Sequence, residues 1–296
     1  MKIESKFGGA TFAAIFFLLL LAFSFPALAQ TPPVSWSPDK LINGAPCVFR
    51  YKPVTRLKSL TGSFLGKQVF FAFDKTNGIW YGLAGVDYDT KPGSYDLALN
   101  GVEASGKKLS FAQIVPIAKG FYRTSALSVP KKYVEPDPAD VARILQERDL
   151  KNELFGKVTS SQLWMGNFLT PAATNTSSEF GSQRTYNGKR QSVHQGLDYR
   201  ASTGTAIHAI NSGKVILARE LYFEGNCIVI DHGQGLLSLY LHLSQFKVKE
   251  GDTVNKSQLI ALSGGTGRVT GPHLHLAVRW QGSYVNPATL LGIKLP

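Results

Sequence analysis

Apolar and polar positions divide the chain into stretches of different rhythm. Phe12 to Phe25 is a continuous apolar run behind Lys2 and Lys6, and Ala27-Leu28-Ala29 follows it. A positive start, a short apolar core and an A-x-A site predict an export signal over residues 1–29, cleaved before Gln30; the run is shorter than the ~20 residues a spanning helix needs. From Ala45 to about Pro130, short β-branched and aromatic runs alternate with turn residues. Val69-Phe70-Phe71-Ala72-Phe73, Asn77-Gly78 and Ile79-Trp80-Tyr81 follow one another, and Tyr95 to Leu99 sits between Pro92-Gly93-Ser94 and Asn100-Gly101. Strands so short and so regularly punctuated predict a small β-sandwich. At residues 137–155 the rhythm changes: Val141, Ile144, Leu145, Leu150 and Leu154 recur near helical spacing behind Asp137, an N-cap type flanked by prolines. That pattern predicts one amphipathic helix, acting as hinge or spacer. After a Thr/Ser/Asn-rich loop at 170–181, period-2 alternation returns from Ser202, with strands expected at 213–218, 226–231, 236–243, 258–262 and 273–280.

The expected fold class is therefore all-β. Residues 1–29 are the signal, 30–132 a β-sandwich-like accessory domain, 133–160 a helical linker and 161–296 a second, antiparallel β-sheet domain. Composition narrows the class: 296 residues, 44% hydrophobic and 18% charged, exclude a disordered, collagen-like or multi-spanning chain. Lys and Arg outnumber Asp and Glu by 32 to 20, and losing Lys2, Glu4 and Lys6 with the signal barely alters the excess. A surface this basic suits nucleic acid, anionic lipid or acidic cell wall. Export removes nucleic acid from that set and places the protein in a periplasm, cell envelope or medium, with no membrane span after processing and the monomer as the expected state. Cys47 and Cys227 lie 180 positions apart, and they read as buried fillers rather than a disulfide framework.

Candidate chemistry is concentrated. All six histidines, His194, His208, His232, His242, His273 and His275, fall after position 190. In His194-Gln195-Gly196-Leu197-Asp198 an imidazole and a carboxylate, both good Zn²⁺ ligands, are four residues apart; a helix face or a bent strand-turn would bring them together, and Gly196 argues for the bend. His273 and His275 share one face of a strand while Leu274, Leu276 and Val278 take the other. On that motif alone, two solvent-facing histidines are an equal reading. In Leu237 to Leu243 the leucines at 237, 239, 241 and 243 form one face, leaving Ser238, Tyr240 and His242 opposite. His232, in an Asp-His-Gly turn, reads as bonded to the turn backbone, and His208 as a strand histidine beside a cleft.

These motifs together resemble the lysostaphin-type, LytM-like zinc metalloendopeptidases of bacterial cell walls. HxxxD at His194 and Asp198, Tyr-Leu-His-Leu ending at Leu243, and HxH at His273 and His275 are matched in order. So are framing segments such as Glu179-Phe180-Gly181, Ile230-Asp231-His232-Gly233, Lys249-Glu250-Gly251-Asp252 and Gly267 to Pro272, over roughly 163–287. The resemblance implies a LytM-like carboxy-terminal domain. It makes His194, Asp198 and His275 the ligands of one Zn²⁺ and His242 and His273 the catalytic pair. It also implies hydrolysis of peptide cross-links in peptidoglycan, with Tyr186 a counterpart of the tyrosine some relatives use. Three protein ligands leave a fourth position for water, as a catalytic zinc site requires. No HExxH helix supplies a glutamate base, so His242 and His273 are the natural proton acceptors. Arg268 could meet a substrate carboxylate or be an ordinary loop arginine. Two other functions stay open: a non-catalytic regulator of other wall hydrolases, recognised by gaps in the ligand set, and a secreted protease acting on Gly-rich protein.

Overall fold

Alternation in the first half resolves into two four-stranded sheets in a computed structural model that describes Met1, residues 34–188 and residues 190–296. The export signal expected at 1–29 lies, Met1 aside, outside the described residues. Strands β1 (Val34–Ser37), β2 (Pro46–Tyr51), β3 (Leu57–Phe64), β4 (Lys67–Phe70), β5 (Ala72–Asp74), β6 (Ile79–Gly85), β7 (Gly93–Glu103) and β8 (Lys108–Ile117) pair as β1-β2-β6-β5 and β4-β3-β7-β8. Leu57, Leu60 and Phe64 face inward along β3, and Leu97 and Leu99 along β7. They meet Phe49 and Trp80 from the other sheet in one core, with the Phe49 and Phe64 rings edge to face at 5.1 Å. This is the expected sandwich. Trp80 is buried in it.

After β9 (Thr124–Leu127), helix α1 runs over Pro138–Phe155. Asp137 occupies its N-cap, yet only its backbone carbonyl serves there, accepting from Asp140 and Val141. The expected apolar stripe is kept in part. Ile144, Leu150 and Leu154 turn inward with Asp140, Glu147, Lys151 and Phe155, whereas Val141 and Leu145 are each 42% exposed. Charged side chains that bind polar groups of the neighbouring turn share the inward seam with the apolar ones.

The second half is strand throughout, apart from α2 (Pro287–Gly292): β10 (Thr176–Ser178), β11 (Gln183–Tyr186), β12 (Arg190–Val193), β13 (Gly196–Tyr199), β14 (Ala206–His208), β15 (Gly213–Leu221), β16 (Gly225–Asp231), β17 (Leu236–Phe246), β18 (Thr253–Val254), β19 (Leu259–Ser263), β20 (Leu274–Trp280) and β21 (Ser283–Val285). A ten-stranded antiparallel sheet has the path β10-β13-β20-β17-β16-β15-β18, with β14, β19 and β21 attached. The five strands expected after Ser202 are all present. The β11–β12 hairpin was not expected, and β9 pairs with β11 in parallel, carrying the first half of the chain into the second.

The two halves share one hydrophobic core, and residues 32–296 form one compact unit. A Cβ on Gly85 of β6 would lie 2.8 Å from Val285 Cγ1 and 3.2 Å from the Trp280 ring, so β6 and β21 pack with no room for a methyl. The Asn286 N–H donates to the Gly44 carbonyl at 2.8 Å. The hinge role expected of the helix finds no loose joint here: the β-sandwich rests directly on the second sheet. Cys47 and Cys227 are buried and unpaired, as expected.

Candidate metal centre

Sheet register builds the site. In the antiparallel β13–β20 pair Asp198 stands opposite His275 and Gly196 opposite Ala277; Leu197, Tyr199, Leu274, Leu276 and Val278 turn to the core on the other face. His194 precedes β13 and is held by backbone bonds to both ends of the 181–182 turn, Gly181 N–H to its carbonyl and its own N–H to the Ser182 carbonyl, each 2.8 Å. The bend between His194 and Asp198 passes through Gly196, as the glycine suggested. A Cβ there would lie 2.4 Å from His275 Nε2, so only glycine lets the ring settle over the strand.

Three donor atoms converge. His194 Nε2 lies 3.0 Å from Asp198 Oδ1 and 3.0 Å from His275 Nδ1, and His275 Nδ1 lies 2.8 Å from Asp198 Oδ1. His194 Nδ1 is 2.8 Å from the Glu179 carbonyl, which requires the ring proton there and leaves a lone pair on Nε2. Asp198 is buried, which by itself favours the neutral acid, but the close approach of His194 and His275 outweighs this and holds it well below the usual carboxylate range. Burial pushes His275 down to about 4, against the opposing pull of Asp198. The centre is thus an anionic oxygen and imidazole lone pairs aimed at one another. A proton cannot satisfy three such atoms at once; one divalent cation ~2.0–2.2 Å from each can, and nitrogen with carboxylate oxygen is a donor set that zinc accepts. The other carboxylate oxygen, Oδ2, accepts from Arg184 at 2.8 Å, and the same guanidinium nitrogen lies 2.7 Å from Ser178 Oγ. Oδ1 is left for the centre. Arg184 had no motif of its own in the sequence.

His242 and His273 stand together beside this triangle, ring centroids 4.9 Å apart, with His242 6.0 Å from the His275 ring. His273 Nε2 is 3.8 Å from Asp198 Oδ1. His242 Nδ1 is 2.9 Å from the Thr266 carbonyl and His273 Nδ1 2.9 Å from the Gly271 carbonyl. Both rings therefore carry their proton on Nδ1, leaving Nε2 as the basic atom. Burial, and then the neighbouring His275 and His273, push His242 well below its ordinary value, so it is neutral.

Strict alternation fails at His242. Its φ is +64°, in the left-handed region, and the β16–β17 and β17–β19 registers both slip nearby. Leu243 consequently joins Tyr240 in the core, whereas His242 lines the cavity that Leu239 and Leu241 line. The expected polar face of Ser238 and Tyr240 is fully buried. It is occupied by His232, whose Nε2 is 2.8 Å from Ser238 Oγ and whose Nδ1 donates to the Ser212 carbonyl at 2.7 Å. His208, on β14, is not among the described residues lining either cavity below.

An open cleft of ≈ 850 Å³ runs past Asp198, His242, His273 and His275, with Ser125, Leu127 and Val129 from β9 and its exit along one side. A smaller cavity of ≈ 160 Å³ lies deeper, against His194, His242 and His275. Arg184, Tyr186 and Arg268 border both.

Fold and site together define an antiparallel β-sheet protein whose strands present an imidazole–carboxylate–imidazole cluster fit for one divalent ion, at the floor of an open cleft. Residues 192–287 match the profile of Peptidase family M23, and this segment is an M23, LytM-like peptidase domain. Peptidoglycan DD-endopeptidase ShyA of Vibrio cholerae is 44% identical over 98 residues, 33% of this chain and 23% of that protein. DD-carboxypeptidase/endopeptidase Mpg of Neisseria meningitidis is 40% identical over 98 residues, again 33% and 23%. The chain thus spans about a quarter of the length of these relatives. A crystal structure from Pseudomonas aeruginosa that carries the peptidase M23 name superimposes over 86% of this chain and 96% of its own, with TM-score 0.62 and 26% identity.

Proposed function

We propose that this chain is an exported zinc-dependent endopeptidase that hydrolyses peptide cross-links of bacterial peptidoglycan. The carrying observation is the triangle of His194 Nε2, Asp198 Oδ1 and His275 Nδ1, with edges of 2.8–3.0 Å and no proton arrangement that satisfies it. His194, Asp198 and His275 hold the ion. When bound, zinc supplies Lewis-acid polarisation of a scissile carbonyl and makes water near it more acidic. The chain's own groups do the rest. Arg184 holds Asp198 by Oδ2 and leaves Oδ1 turned toward the centre, and the Glu179 carbonyl fixes the His194 tautomer. His242 and His273, with their Nδ1 protons committed to backbone carbonyls, accept at Nε2 the proton released as water adds to the carbonyl, and return it to the departing amine nitrogen. The basic chain suits a substrate whose stem peptides and associated polymers are anionic, and two relatives are named for peptidoglycan or DD-peptide hydrolysis.

A non-catalytic regulator is disfavoured because all five positions are filled and adjacent. A protease acting on Gly-rich protein would share the zinc chemistry and differ in what the cleft accepts. Purified peptidoglycan incubated with the mature protein should release new amino groups, and chelation should stop the release. Wall-binding without release would favour the regulator, and release only from a Gly-rich protein would favour the protease. His242→Ala and His273→Ala should each lower turnover by ~10² to 10⁴-fold while zinc content stays at one ion; full turnover in either variant removes that histidine from the mechanism.

A further inference from the structure

The two ends of the β-sandwich differ. Gly85 of β6, which packs on Val285, pairs with Pro46, the first residue of β2. Tyr51, the last residue of β2, therefore marks the end away from that contact. Three connections meet there: residues 52–56 between β2 and β3, 75–78 between β5 and β6, and 104–107 between β7 and β8. Register sets them side by side, with Tyr51 opposite Trp80, Asp74 opposite Ile79, Leu57 opposite Glu103 and Val102 opposite Lys108. The Ala104 N–H donates to the Arg56 carbonyl at 2.8 Å, fastening the first connection to the third. The Glu103 N–H donates to the Lys107 carbonyl at 2.9 Å and closes the third on itself.

These turns carry a concentrated positive charge. Lys52, Arg56, Lys58, Lys75, Lys107 and Lys108 are all exposed, and none forms an ion pair among the described residues. Lys58 is the extra residue of a β-bulge, since Leu57 and Ser59 stand opposite the adjacent residues Glu103 and Val102. The two carboxylates of the same turns are engaged within them. Asp74 accepts from Asn77 Nδ2 at 2.6 Å and from the Thr76 N–H at 2.9 Å, and Glu103 accepts from Ser105 Oγ at 3.2 Å. Among the cations, Val54 is 91% exposed, and Phe73, one residue before Asp74, is 44% exposed. A lone apolar side chain on a surface needs no account. Apolar side chains carried with six cations on preformed turns have the composition of an interfacial anchor.

We infer that this end of the sandwich docks the protein on an anionic lipid bilayer, with its Lys and Arg side chains against headgroup phosphates and Val54 entering the acyl boundary. Cations alone suit any polyanion, including the phosphate polymers of a cell wall. An exposed valine among them has no counterpart on such a polymer and gains only from leaving water for lipid. Each basic residue held near an anionic leaflet strengthens binding by roughly 5-fold, so six give reversible docking without a spanning helix. No residue of these turns lines the cleft. Docking therefore leaves the metal centre open, and the inference stands whether or not the chain is a peptidase.

The test is co-sedimentation of the full mature protein with vesicles of phosphatidylcholine alone and of phosphatidylcholine with about one third phosphatidylglycerol. Binding to soluble polyphosphate, a polyanion without lipid, is measured in parallel. Wild type should bind the anionic vesicles at least about 10-fold more tightly than the neutral ones, and less tightly as salt rises. Replacing both Lys107 and Lys108 by Gln should lower vesicle affinity roughly 25-fold, whereas replacing Lys247 and Lys249, exposed beyond β17, should change it less than about 2-fold. Val54→Ser should lower vesicle affinity about 5- to 10-fold and leave polyphosphate binding as it was. No preference for anionic vesicles, or an equal loss from the two lysine pairs, would overturn the docking surface. A Val54→Ser protein that binds vesicles like wild type would also overturn it, and would make the turns a site for wall polyanions instead. The substituted side chains are exposed, so thermal midpoints should match wild type; should a variant fail to fold, the wild-type comparison of the two vesicles still decides.

Discussion

Gly196 has no room for a side chain, because the His275 ring occupies the space a methyl would need. Gly196→Ala should move that ring and weaken zinc binding by about 10- to 100-fold, the range seen when groups supporting a ligand are disturbed. Chelator competition reads this directly, and unchanged affinity would show that the close approach is dispensable. His232 gives a prediction of another kind. Burial pushes it down to about 4 from an ordinary 6.5, with its hydrogen bond to Ser212 pulling the other way. Above pH 6.5 the folded and unfolded states are both neutral at this residue, so it contributes no pH dependence. Between 6.5 and 4 only the unfolded chain takes the proton, so stability falls as pH falls, by roughly 3 kcal/mol in all, and then levels off. Urea unfolding of metal-free protein at pH 7 and pH 4.5 should show a smaller acid loss in His232→Gln than in wild type. Equal losses would mean that His232 does not titrate differently in the two states.

At the scale of elements, α1 acts as a brace. Glu147 Oε2 accepts from the Tyr222 N–H at 2.8 Å, the Asp140 carboxylate lies 3.0 Å from the Tyr222 hydroxyl, and Lys151 pairs with Glu224. The Glu224 carbonyl in turn accepts the His242 N–H at 2.9 Å. Lys151→Met leaves the partly buried Glu224 carboxylate without its partner and should cost about 1 kcal/mol. The same variant should speed amide exchange at His242 and lower turnover with zinc retained. A variant as stable and as protected as wild type would make the helix a passive spacer. The helix itself was legible in its spacing, and its docking face in part: Ile144, Leu150 and Leu154 turn inward as expected, but the polar contacts are made by Asp140, Glu147 and Lys151, residues that a hydrophobic pattern treats as solvent-facing. The strands of the second half were legible for the converse reason: their cores are apolar at period 2. Where a polar network (His232, Ser238 and Tyr240) is buried, or a left-handed residue (His242) interrupts the strand, period 2 misassigns the face. Backbone acceptors such as Glu179, Thr266 and Gly271 leave no trace in residue type, so the groups that fix the histidine tautomers could not be read in advance.

Across the whole molecule, the β-sandwich and the catalytic sheet share their packing, and β9 supplies both a partner for β11 and one side of the cleft. Removing residues 30–132 would uncover Trp280 and Val285 and strip β11 of its parallel neighbour. The truncated chain is expected to unfold at lower temperature or to aggregate, with wall hydrolysis reduced accordingly; a truncated chain with the thermal midpoint and activity of the full protein would show that the sandwich is separable. The clustering of every histidine beyond position 190 announced the site, and the sheet register explains it, since β13 and β20 place residues 77 positions apart side by side. The most direct measurement is metal stoichiometry by mass spectrometry on mature protein purified without chelators, alongside Asp198→Ala. One zinc per wild-type chain and loss of it in the variant is the predicted result. No zinc in wild type, or equal zinc in both, would contradict the placement of the ion among His194, Asp198 and His275.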